Sequence, residues 1–175
     1  ILTNNGANGD EDSIITLTQA MLDLADSDTS AENRIFTLQS QPSHGTLYLD
    51  GVALVIDASF TQQDLLDGLV TFEPNADFNG SDSFDFVGSD GTTDLGVETF
   101  NIAITAVNDA PVGTGDAVTT DEDTPIIIDV LNNDSDVDLD DLDIQSVTDG
   151  THGSVAINPD DTVTYTPDEN WNGSD

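Results

Sequence analysis

Short runs of alternating apolar and polar residues recur along the whole chain. Ile14-Ile15-Thr16-Leu17, Gly45-Thr46-Leu47-Tyr48-Leu49, Phe100-Asn101-Ile102-Ala103-Ile104 and Thr162-Val163-Thr164-Tyr165 each carry the period of two that turns one face of a strand toward a core. Ser83-Phe84-Asp85-Phe86-Val87 alternates as well, Ser89-Asp90-Gly91 marks a turn, and Glu98 to Ala106 alternates again. Short strands punctuated by turn signals predict an all-β protein of Ig-type Greek-key β-sandwiches. Phe36, Phe72, Phe84, Phe86, Phe100 and Tyr165 fall on alternating positions and are expected in the sandwich core. One segment breaks the pattern. In Phe60-Thr61-Gln62-Gln63-Asp64-Leu65-Leu66-Asp67-Gly68, Thr61 is placed as an N-cap, Asp64 as the third residue of a capping box and Gly68 as the stop, so a helical turn or two is expected near 61–67.

The pattern occurs twice. Asp10-Glu11-Asp12-Ser13-Ile14-Ile15 returns as Asp121-Glu122-Asp123-Thr124-Pro125-Ile126, Ala25-Asp26-Ser27-Asp28 as Asn133-Asp134-Ser135-Asp136, and His44-Gly45-Thr46-Leu47 as His152-Gly153-Ser154-Val155. Val70-Thr71-Phe72-Glu73-Pro74 followed by Phe78-Asn79-Gly80-Ser81-Asp82 returns as Val163-Thr164-Tyr165-Thr166-Pro167 followed by Trp171-Asn172-Gly173-Ser174-Asp175. The offsets run 111, 108, 108 and 93, so the first copy carries an insertion between Asp50 and Leu69, where the helical signal lies. Residues 1–107 are expected to form one domain, 108–111 a Pro-ended linker, and 112–175 a second domain truncated before its last hairpin. An unpaired sheet edge of that kind invites strand addition. The chain begins at Ile1 rather than Met and is expected to be a piece of a longer protein.

Charge changes the picture. Among 175 residues, 36 are Asp or Glu against one Lys or Arg, a formal net charge of −35. Only six of the acids are Glu. With one cation the chain has nothing to neutralise a phosphate backbone, which excludes nucleic acid, and anionic membrane surfaces are excluded on the same ground. No apolar run approaches the roughly 18 residues of a spanning helix, so no membrane insertion is expected. High charge favours disorder, but 36% of the residues are hydrophobic and regularly spaced, so a foldable pattern coexists with a charge that opposes compaction. Salt or bound divalent cations must offset it. Cysteine is absent and the two histidines lie 108 residues apart, which leaves hard oxygen donors and favours calcium. The loops Asp26-Ser27-Asp28 and Asp134-Ser135-Asp136-Val137-Asp138 set carboxylates two residues apart, able to address one cation from the same side. The second loop departs from the EF-hand pattern at Leu139, where Gly is required, and at Gln145, where Glu is required.

The early Asp10-Glu11-Asp12, the Asp26-Ser27-Asp28 loop and the junction Val107-Asn108-Asp109-Ala110-Pro111 together resemble the cadherin-like tandem repeats of large bacterial surface adhesins. The first copy, with Phe60-Thr61-Gln62-Gln63-Asp64-Leu65 and Gly68-Leu69-Val70-Thr71-Phe72, also resembles the chondroitin sulphate proteoglycan repeat. The resemblance implies a secreted or cell-surface location and calcium ions between successive domains. It maps their ligands onto Glu11, the neighbourhood of Asp82, Asn108 and Asp109 of the linker, and Asp134, Asp136 or Asp138. By the same mapping Asp26, Asp28, Asn33 and Glu122 would serve sites shared with neighbouring repeats. Two departures thin the set: Gly80-Ser81-Asp82 stands where cadherins carry Asp-Arg-Glu, and Ala110 where they carry a second Asn.

No catalytic residue is assigned. Among so many acids a glycosidase-like pair arises by chance, and no nucleophile elbow, phosphate loop or zinc-protease motif is present. His44 and His152, repeated before Gly, read as structural. The expectation is a calcium-rigidified extracellular spacer or adhesion segment whose partners are neighbouring repeats. Its rival is a module binding a cell-surface glycan or a like protein, for which Trp171 and Tyr48 are the aromatic candidates.

Overall fold

Each alternating run becomes a strand, and the strands share their hydrogen bonds according to which copy they belong to. The computed structural model describes residues 1–175, which divide into two compact units, Ile1–Val107 and Asn108–Asp175. The fold is nearly all-β.

In the first unit the strands are β1 (Leu2–Asn4), β2 (Ala7–Asp10), β3 (Ile15–Thr16), β4 (Leu22–Leu24), β5 (Ile35–Leu38), β6 (Gly45–Leu49), β7 (Val52–Ala53), β8 (Ser59–Thr61), β9 (Val70–Pro74), β10 (Gly80–Ser89) and β11 (Asp94–Thr105). One sheet runs β2-β11-β10-β5-β8, a second β3-β9-β6-β7, and β1 pairs with β4 in a ribbon. All pairings are antiparallel except β2 beside β11. Phe36, Phe84, Phe86 and Phe100 from the first sheet and Leu47, Val70 and Phe72 from the second are fully buried in one core. The alternation thus separates core from solvent as its period requires.

The breaking segment forms helix α1 (Gln62–Leu66). Thr61 Oγ1 accepts from Asp64 N at 3.1 Å, and Asp64 Oδ2 accepts from Thr61 N at 2.7 Å, a reciprocal capping box.

The second unit repeats one sheet, residue for residue. Strands β12 (Ile126–Ile128), β13 (Gly153–Ile157) and β14 (Val163–Pro167) lie in the order β12-β14-β13, the counterpart of β3-β9-β6. Ile126 faces Tyr165 as Ile15 faces Phe72, and Gly153 faces Pro167 as Gly45 faces Pro74. The Gly after each His is explained by what lies over it. A Cβ at Gly45 would come within 2.2 Å of Phe72, and one at Gly153 within 2.5 Å of Tyr165.

The repeat fails elsewhere for a physical reason. Leu142 to Val147, in register with β5, forms no strand, because β5 is held by β10 and residues 108–175 contain no counterpart of the β10–β11 hairpin. Tyr165, expected in a core, is therefore only half-buried, while its counterpart Phe72 is fully buried.

Candidate metal centres

The first candidate grows from the end of β2. The ladder with β11 runs one residue further, Glu11 N donating to Thr105 O at 3.0 Å. This tucks the Glu11 side chain under the outgoing chain, where it is 1% exposed. Its Oε1 accepts the Val107 N–H at 2.8 Å; its Oε2 is buried with no hydrogen-bond partner. A buried carboxylate oxygen without a donor is costly unless a cation or proton meets it. Next to it Asp12, at φ 58°, accepts the N–H of Asp77, itself at φ 57°, at 3.4 Å. Both side chains are exposed. Neither Asp12 nor Asp77 was among the sequence candidates. A signal existed: the same pair recurs as Asp123, φ 61°, accepting from Asn170 N, φ 57°, at 2.8 Å.

Asp82, mapped to calcium by resemblance, is turned to the backbone. Oδ1 accepts from Ser43 N at 2.9 Å and Ser83 N at 2.8 Å, and Oδ2 from His44 N at 2.8 Å. The His44 ring then stacks on Phe78 with centroids 3.9 Å apart. The second unit repeats this clasp: Asp175 accepts from Thr151 N at 2.8 Å, His152 N at 3.1 Å and Tyr165 Oη at 2.9 Å, and His152 stacks on Trp171 at 3.6 Å. Burial opposes the Asp175 charge, but these donors outweigh it and hold the carboxyl below the ordinary aspartate range.

In the second unit, Asn108, Asp109, Asp134 and Asp136 line one pocket of ≈ 400 Å³. Asp109 N donates to Asp138 Oδ2 at 2.7 Å, and Asp134 Oδ1 accepts from Thr114 N at 2.6 Å. Asp136 Oδ1 accepts from Asp138 N at 2.9 Å, so the loop curls around that carboxylate. Ser135 is fixed by a two-way bridge to Val112. The linker and the Asp-rich loop, separated in sequence, thus come together within this unit.

The remaining candidates are less assembled. Asp26 Oδ1 accepts from Asp28 N at 3.3 Å. A hydrogen bond shared with Asp26, then that residue's charge, raises the Asp28 carboxyl, and the same bond lowers Asp26. Asp90, missed in the sequence, adds a repulsive charge from the β10–β11 turn. It is held below the ordinary range by the hydroxyl and N–H of Thr92 and by Thr93 N. Asn33 closes the 3₁₀ turn Ala31–Asn33, its Nδ2 donating to Ser30 Oγ at 3.1 Å. Glu122 is exposed, unlike Glu11, because the second unit has no strand in the place of β11 to cover it. The donors brought together are all hard oxygens, and both histidines are occupied in ring stacks.

Comparison with known proteins follows the two units. A family model described as "Cadherin-like" matches residues 1–104, and another described as "Cadherin-like domain" matches residues 107–175. The chain belongs to the cadherin-like family. Its relatives include human FRAS1-related extracellular matrix protein 1, 36% identical over 92 residues, covering 53% of this chain and 4% of that protein. Extracellular matrix organizing protein FRAS1 of Mus musculus is 34% identical over 111 residues, 63% of this chain and 3% of that protein. Extracellular matrix protein 3 of Lytechinus variegatus is 33% identical over 76 residues, 43% of this chain and 2% of that protein. The chain thus spans only a few per cent of these relatives' length. This cadherin-like chain is extracellular, and no helix in it is long and apolar enough to cross a membrane.

Proposed function

We propose that this cadherin-like chain is a calcium-rigidified spacer of a large extracellular protein, acting in adhesion or matrix assembly through reach and stiffness rather than through chemistry. The observation that carries the reading is Glu11, a buried carboxylate with one oxygen held by Val107 N–H and the other without a donor. A divalent cation is the partner that such an oxygen lacks. Calcium, with six to eight oxygens in a flexible shell, suits carboxylates and Asn carbonyls spread over several loops. Glu11, Asp12 next to it in the chain and Asp77, whose N–H Asp12 accepts, would form one ligand group; Asn108, Asp109, Asp134, Asp136 and Asp138 would form another. Asp82 is left to its backbone clasp, and Asp26, Asp28, Asn33 and Glu122 to sites completed by neighbouring repeats.

Stiffness follows from chain continuity. Val107, tied to Glu11, is followed directly by Asn108 and Asp109, so cations held by the two groups would fix the backbone on both sides of that junction. The partners are neighbouring repeats and matrix or cell-surface components. The animal relatives support a matrix role.

The test is a thermal melt at matched ionic strength in millimolar calcium, in magnesium and in chelator. At tenfold to hundredfold excess over Kd each site contributes about 1–3 kcal/mol, read as a calcium-specific rise in Tm that Glu11→Gln and Asp136→Asn each diminish. Equal Tm values in calcium and chelator, or a rise that magnesium reproduces, would sink the reading.

A further inference from the structure

The repeated motif Asn-Gly-Ser-Asp is only half explained by the fold. Its Asp has a task in both units, clasping Ser43 and His44 through Asp82, and Thr151 and His152 through Asp175. Its Gly has one too. Gly80 sits at φ 132° and Gly173 at φ 152°, and a Cβ on Gly173 would meet Trp171 at 2.9 Å. The first and third residues do nothing comparable. Asn79, Ser81, Asn172 and Ser174 are all exposed, and their side chains make no hydrogen bond, whereas the Asp that follows each Ser is tied into the clasp. Two residues that recur at a spacing of two without a structural task call for a reason outside the fold. The pair they form, Asn-x-Ser with x other than Pro, is the acceptor sequence for N-linked glycan.

We propose that Asn79 and Asn172 are N-glycosylation acceptors, equivalent in the two units and both presented on surface loops of an extracellular chain. The donor is an oligosaccharide carried on a polyprenyl diphosphate. The Asn79 amide Nδ2 attacks C1 of the first sugar, the C1–O bond to the diphosphate breaks, an N–C1 bond forms, the amide loses one proton, and the lipid diphosphate leaves. Ser81 and Ser174 supply the hydroxyl that the transferase requires. Asn79 immediately precedes β10, so the glycan projects from a loop and leaves the sheet's hydrogen bonds intact. A third triplet, Asn133-Asp134-Ser135, is different. It has no equivalent in the first unit, where Ala25 stands in place of Asn133, and its middle residue, Asp134, lines the pocket with Asn108, Asp109 and Asp136 and accepts from Thr114 N. It is not an acceptor under this proposal.

The test is secretion of the full chain from insect or human cells, followed by peptide mapping after peptide-N-glycosidase treatment in heavy-oxygen water. Glycosylated Asn is thereby converted to oxygen-labelled Asp. The expected result is label at Asn79 and Asn172 and none at Asn133. Asn79→Gln and Ser81→Ala should each remove one glycan from the intact mass, and the second variant keeps the test open if the first disturbs folding. Ser81→Thr should preserve occupancy. An unmodified secreted chain overturns the proposal, as does label at Asn133 in preference to the other two. Conversion at Asn79 that appears equally without the enzyme overturns it as well, because Asn-Gly then merely deamidates.

Discussion

Leu139 holds a backbone conformation that its side chain resists. Its φ is 63°, and every other non-glycine residue at positive φ in the chain is Asp or Asn. It is also 88% exposed, so no packing offsets the cost. It ends the Asp134–Asp138 run just where that loop turns around Asp136. A left-handed conformation costs an ordinary residue about 1–2 kcal/mol, and part of this returns as lost chain entropy when Gly replaces it. Leu139→Gly is therefore expected to stabilise the second unit by about 1 kcal/mol and to tighten calcium binding, measured by urea unfolding and titration calorimetry. A destabilised variant would show that the turn is imposed by something other than this residue. Glu11 argues in the opposite direction. Glu11→Gln keeps an acceptor for Val107 N–H while removing the buried charge, so in chelator the variant should melt at or above the wild type, and in calcium below it. A variant that melts lower in both would mean that the missing partner of Oε2 is a protein group, not an ion. Asp175 supplies the acid limb. Because folding lowers its pKa, its contribution is fully present above the ordinary aspartate range and is lost as pH falls through the depressed value. Unfolding of the second unit followed from pH 5 downward should show this loss, and Asp175→Asn should flatten it.

The inserted helix shows how an element present in one copy alone can brace a loop. Gln62, its first residue, is fully buried, and its Oε1 accepts the Leu24 N–H at 2.9 Å. Arg34 Nη1 donates to Leu24 O at 2.7 Å, and Gln62 N donates to Arg34 O at 2.9 Å. The last residue of β4 thus has both its backbone groups held by side chains, two residues before Asp26. Gln62→Leu should cost about 1–3 kcal/mol, the penalty of orphaning a buried donor, and should speed hydrogen exchange at Leu24 specifically. A uniform loss of protection across the first unit would instead point to a general packing defect. The helix itself was legible from Thr61, Asp64 and Gly68, since capping is local chemistry. The alternating strands were legible for the same reason, whereas Glu11 was singled out by the resemblance alone. The Gln62–Leu24–Arg34 brace was not, nor was the backbone clasp of Asp82. Each joins residues distant along the chain, and nothing about one Asp among thirty signals whether its oxygens face solvent, an amide or a cation. Asp12 and Asp77 were hidden likewise, although the recurrence of their geometry at Asp123 and Asn170 belongs to the repeat.

Across the molecule the balance of charge sets the terms on which all of these contacts act. The single Arg or Lys is Arg34, its side chain 13% exposed and 4.0 Å from Asp23, so the surface carries its acids with no exposed lysine or arginine between them. Such a chain responds to ions in two separable ways. Diffuse screening acts on every pair of carboxylates, and the Debye length shrinks from about 10 Å at 0.1 M to about 3 Å at 1 M. Bound cations act only where ligands converge. Tm is therefore expected to climb smoothly with sodium chloride in chelator, with no plateau characteristic of a site. Calcium at constant ionic strength should add a saturable increment on top of that slope. Glu11→Gln and Asp136→Asn each remove one of 36 carboxylate charges, too few to alter the slope appreciably, yet each should cut the increment. If both variants left the increment untouched while salt alone reproduced it, calcium would be acting as one more screening ion. Stiffness would then have to come from the sheets and the junction themselves.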